Sequence, residues 1–150
     1  MRLPAKYETI STEAVNRIKG FDINRNPEAK AALARVLKSN AGTSQFVRLV
    51  DKFSLSDQYA ELLNLAIKHP TDQIGADSIS VLRGKGQSGL VKQALNAKQA
   101  EIAVAVANAL ATSGDGRAVG LTMPIVKNDK KPLEIRRASA RACASSRNGA

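Results

Sequence analysis

Residues 101–126, EIAVAVANALATSGDGRAVGLTMPIV, constrain the fold more than any other stretch. Ile102, Ala105, Val106, Ala109 and Leu110 recur at the i, i+3, i+4, i+7, i+8 spacing of a helix with one face turned to a core. Gly114 then supplies the left-handed residue that closes a helix, and Asp115 a side-chain oxygen that opens the next. Ala118, Val119 and Leu121 resume the apolar pattern at once. So short a turn predicts an antiparallel αα-hairpin whose two helices pack face to face.

The same pattern recurs along the chain. Residues 1–25 read as a lead-in followed by a first helix, capped by Ser11, carrying Ala14, Val15 and Ile18, and closed by Gly20. Asn26, Pro27 and Glu28 make a strong helix start, with a cap, a proline at the first position and a carboxylate near the positive end. Ala29, Ala32, Leu33, Val36 and Leu37 follow as a stripe, broken at residues 40–42. Phe46, Leu49, Val50 and Phe53 mark another helix. Ser56 is expected to cap the next, with Tyr59, Leu62, Leu63, Ala66 and Ile67 inward, stopped by His69 and Pro70. Ile74, Ser78, Val81 and Leu82 give a weaker pattern. A loop over residues 84–89 and a short helix with Leu90, Val91, Ala94 and Leu95 lead into the hairpin.

Residues 133–149 repeat the hairpin's first helix at an offset of 33, placing Ile135, Ala138, Ser139, Ala142 and Cys143 on its stripe. Recurring helical hairpins of this size predict an all-α, α-α superhelix in which each unit buries its stripe against its neighbours. Residues 26–150 are read as one continuous repeat domain, giving about seven to nine helices in all. The composition agrees: 43% of residues are hydrophobic but only 3% aromatic, which suits closely packed helices better than sheets.

The run Ser113-Gly-Asp-Gly-Arg-Ala-Val119 resembles the turn of HEAT-type repeats, in which a Gly-Asp-x-Arg-Ala-Val string joins two helices. Glu134-Ile-Arg-Arg-Ala138 is similar to the first-helix pattern of the same repeats. The resemblance covers residues 26–146 and is weakest near residues 71–89. Pro124 departs from it, lying mid-helix where it is expected to kink the second helix. The chain as a whole resembles the HEAT-repeat segment of large bacterial multidomain membrane-bound dehydrogenases, where such a segment lies between a propeller and a c-type haem domain. That resemblance implies a fragment of a larger protein, an extracytoplasmic location, and a spacer or docking role. No Cys-x-x-Cys-His haem motif accompanies it.

Chemistry-bearing motifs are scarce. Gly84-Lys-Gly-Gln-Ser-Gly89 matches G-x-G-x-x-G, but a dinucleotide site needs a strand before it and a ribose-binding acid at the end of the next strand. The next strand would be residues 102–107; Glu101 precedes it and Asn108 follows it, so the run reads as an interhelical loop. His69 is the single histidine and Cys143 the single cysteine, which builds neither a zinc cluster nor a supported Cys–His pair. Cys143 corresponds to Leu110 and reads as a buried apolar residue. Asp57, Asp72 and Asp115 fall in first turns or caps, which leaves no general acid–base pair. The reading is therefore a non-catalytic module without cofactor or metal, whose partners are other proteins or neighbouring domains of its own chain. No apolar run reaches the roughly 20 residues that span a bilayer, and residues 1–11 lack the apolar core of a signal peptide.

The net charge is +10 and is concentrated at the ends. Residues 1–55 carry ten cations against five acids, residues 56–98 five against four, and residues 99–150 eight against four. Lys130, Lys131, Arg137 and Arg141 form a candidate anion- or partner-binding ridge, with Arg137 and Arg141 four apart on one helix face. The plainer reading is a solvated outer face. The alternative function is a basic solenoid that binds nucleic acid, as in HEAT-like DNA glycosylases, although the chain has no Trp and no interleaved aromatics.

Overall fold

The computed structural model describes Arg25 and residues 27–147. The helix expected after Ser11, its Gly20 stop and the Asn26 cap lie outside the described residues. Among the described residues the chain is all-helical and contains no strand. It divides into two compact units, Met1–Ser54 and Leu55–Ala150.

In the first unit, α1 (Pro27–Ser39) buries Leu33, Val36 and Leu37, and α2 (Ser44–Phe53) buries Phe46, Val47, Leu49 and Val50. The break between them is chemical as well as steric. The Asn40 side-chain amide donates to the Val36 carbonyl (2.8 Å), and Thr43 caps α2 by accepting from the Phe46 N–H (3.3 Å).

The second unit runs through a 3-10 turn (Ser56–Gln58), α3 (Tyr59–Lys68), α4 (Gln73–Gly84), α5 (Ser88–Leu95), α6 (Ala100–Ser113), a 3-10 turn (Gly116–Ala118), α7 (Val119–Val126) and α8 (Leu133–Arg147). α3 and α4 form a hairpin so close that a Cβ on Gly75 would collide with the His69 carbonyl. Helix α4 lies against α6, and α6 against α8; α3 and α5 also rest on α6. The core is aliphatic, with Leu62, Ile79, Leu82, Val91, Leu95, Val106 and Leu110 fully buried.

The hairpin at Gly114 has its expected ends and a different packing. Gly114 closes α6 at φ 64°, and Asp115 caps the next turn through the Arg117 N–H. The two helices do not pack face to face, however: α7 lies along α8 and touches α6 little. The 3-10 turn between them carries α7 away from α6 toward the following helix.

Several stripes are broader than the sequence periodicity suggests. In α6, Ala105, Val106, Ala109 and Leu110 are buried as expected, Ile102 is half-buried, and Ala103 and Ala107 are fully buried on another face. A helix with neighbours on several sides keeps only a narrow solvent face, and alanine lets those neighbours approach closely. In α3, Leu65 is buried while Leu63 and Ile67 are half-buried, because the helix divides its inward surface between α4 and α6. Ser56 does not cap α3; it begins the preceding 3-10 turn and makes no side-chain cap. Gly84 and Gly89 are helical, so the expected loop shrinks to residues 85–87.

Candidate anion- and partner-binding face

Residues 127–132 turn the chain from α7 into α8. Asn128 sets the turn: its side-chain oxygen accepts from the Lys130 N–H, and its carbonyl accepts from the Lys131 N–H, both at 3.1 Å. Pro132 lends its carbonyl to the Arg136 N–H as α8 begins. Lys130 is exposed and Lys131 half-buried. Arg137 and Arg141 both emerge on the exposed side of α8, about 6 Å apart along its axis.

The neighbouring cations differ in what they already hold. Arg136 is turned inward, and its Nε donates to the Val126 carbonyl (3.3 Å), one of the acceptors left open at the end of α7. Arg141 donates through Nη2 to the Asn108 side-chain oxygen of α6 (3.2 Å). The side chains of Lys130, Lys131 and Arg137 have no hydrogen-bond or ion-pair partner among the described residues. The structure thus puts Arg137 and Arg141 on one face, with the lysines in the loop leading into it. Asp129 and Glu134, also exposed, temper the charge. Leu133 was not legible as part of this face, yet it is 56% exposed beside these cations. Its signal was positional: it lies two residues before Ile135 and so falls on the opposite side of the helix.

A second polar cluster lies inside the unit. Arg83, near the end of α4, donates from Nη1 to Asp115 Oδ2 (2.6 Å), with side-chain exposures of 6% and 16%. The other Asp115 oxygen accepts from the backbone N–H (3.0 Å) and the Nε (3.2 Å) of Arg117. Burial pushes the Arg83 guanidinium below the ordinary arginine range, opposed by the Asp115 charge. Burial alone would raise Asp115, but the hydrogen bonds from Arg117 and the charges of Arg83 and Arg117 outweigh it and hold the carboxyl below its usual value. Both Asp115 oxygens are committed to holding the turn and α4. Sequence alone assigned Asp115 as a cap and missed Arg83, whose pairing depends on how α4 sits beside the α6–α7 turn.

The remaining polar candidates are local. His69 Nδ1 meets Asp72 Oδ2 at 3.0 Å, so Asp72 reaches back to the preceding turn and makes no side-chain cap for α4. Cys143 is buried with Sγ 3.1 Å from Thr122 Oγ1. The Thr122 hydroxyl donates to the Ala118 carbonyl (2.9 Å), so the thiol is the donor to Thr122. The Gly84–Gly89 run follows helix α4 where a dinucleotide fold requires a strand. Among the described residues no three His, Cys, Asp or Glu side chains gather as a metal site, and no helix is long and apolar enough to cross a membrane. No protein-family model, curated protein or solved structure matches this chain.

Proposed function

We propose that the chain is a non-catalytic, HEAT-like superhelical repeat module that docks or spaces protein partners or neighbouring domains. The observation that carries this reading is the stacking of alternate helices. α4 lies on α6 and α6 on α8, and Arg141 of α8 reaches Asn108 of α6, the residue it matches at the 33-residue offset. Contact between equivalent positions of successive units is what a stacked repeat array produces. In a multidomain dehydrogenase of the kind the sequence resembles, such a module would separate a catalytic propeller from a haem domain.

Amide hydrogen exchange on an Ala138→Asp variant tests the array. Each repeat of a solenoid leans only on its neighbours, so a charge buried in α8 should remove protection from α7 and α8 while much of α3 keeps its own. Simultaneous loss throughout residues 55–147 would show a single cooperative core and defeat the repeat reading. The second reading, a basic array that binds nucleic acid, draws on the exposed Lys130, Arg137 and Arg141. It requires tight duplex binding near physiological salt, because counterion release alone fades there.

A further inference from the structure

Leu133, Arg137 and Arg141 follow one another at four-residue spacing, with Ala140 and Ala144 beside them. At 100° per residue these five cover an arc of about 100° and run roughly 16 Å along α8. All five are exposed. They stand directly opposite the buried stripe of Ile135, Ala138, Ser139, Ala142 and Cys143. Their counterparts in α6 at the same 33-residue offset are Ala100, Val104, Ala107, Asn108 and Ala111, none of them exposed. In α6 this face is half-buried or buried, and Asn108 on it meets Arg141 of α8; in α8 the face is open and carries two guanidinium groups.

We infer that the outer face of α8 docks an acidic, amphipathic polypeptide segment, an inference that rests on the reading of the chain as an interaction module. Charge complementarity selects the occupant. An apolar helix laid here as α8 lies on α6 would bury Arg137 and Arg141 without carboxylates, which desolvation of the two charges opposes. A second copy of a chain with net charge +10 is not its own complement. An acidic segment pairs the guanidinium groups, with Lys130 extending the field at the helix start. The apolar elements separate a polypeptide from nucleic acid. Leu133 offers an anchor contact, and the two alanines leave room for side chains of an approaching helix. A phosphate backbone gains nothing from them, and no aromatic side chain stands on this face to stack a base.

The test is fluorescence anisotropy of the full chain with a labelled helical peptide of about 20 residues, built of Glu, Ala and Leu with leucines at i, i+4 and i+7, at about 150 mM salt. Saturable binding is expected. Leu133→Ser should weaken it about tenfold, and Arg137→Glu with Arg141→Glu about a hundredfold or more, with unchanged circular dichroism because all three sites are exposed. Polyglutamate of equal length and a duplex DNA of about 20 base pairs should bind only at lower salt. The inference is overturned if the peptide does not saturate, if Leu133→Ser is without effect, or if polyglutamate or the duplex binds as tightly as the peptide. Any of these outcomes, with the α3 amides still protected in Ala138→Asp, removes the docking face and leaves the repeat module standing. Global loss of protection in that variant removes the module itself.

Discussion

Asp115 ties the α6–α7 turn to α4, since its two oxygens serve both Arg83 and Arg117. Asp115→Ala removes a cap and strands a buried guanidinium, so a loss of about 3–5 kcal/mol is expected in denaturant unfolding. Arg117→Ala, at an exposed site, should stay within about 1 kcal/mol. The pH dependence follows from the depressed carboxyl. With a folded pKa below the unfolded value of about 3.9, Asp115 stabilises fully above that value and loses its contribution as pH falls through the folded pKa. The denaturant midpoint should therefore drop on acidification from about pH 5, and less steeply in Asp115→Asn. The cap was legible because Ser113, Gly114 and Asp115 are consecutive. The Arg83 pair was not, because 32 residues separate its partners and α4 had the weakest stripe.

Helix α6 shows what periodicity does and does not specify. Its five-point stripe identified a helix with Val106 and Leu110 inward, and both are fully buried. It could not tell how many neighbours the helix would have, and Ala103 and Ala107 sit where a one-sided amphipathic helix would meet water. The same limit hid Leu65 in α3. The face-to-face packing expected across Gly114 failed for a related reason: turn chemistry gives the reversal, while the 3-10 turn of Gly116–Ala118 decides which helix α7 lies on. Two leucines separate these environments. Leu110→Ala should cost about 2–5 kcal/mol, whereas Leu133→Ala should remain within about 0.5 kcal/mol, both read from chemical denaturation. A large loss at Leu133 would mean that its side chain is not solvated.

At the scale of the whole molecule, the all-helical character was legible and function was not, because aliphatic stripes report burial while exposed Lys and Arg serve solubility and recognition alike. Of the ridge, Arg137 and Arg141 share a face as their spacing required, while the half-buried Lys131 depended on a loop path that spacing does not encode. Replacing Lys130, Lys131, Arg137 and Arg141 together by Ala should leave the melting temperature within a few degrees, since three of the four are exposed and such charges contribute little to folding. Duplex DNA should bind the parent chain weakly and release near 150 mM salt; tight binding there, lost in the fourfold variant, would move the chain to the nucleic-acid class. Acidification acts globally as well, because each carboxylate neutralised adds to a net charge already at +10. Finally, the single thiol turns the protein into its own clock. Cys143 lies on the buried stripe of α8 and faces Thr122 of α7, so a thiol-reactive dye reaches it when α8 lifts from α7. The labelling rate in excess dye counts those openings without any introduced probe, and Ala138→Asp should accelerate it by orders of magnitude.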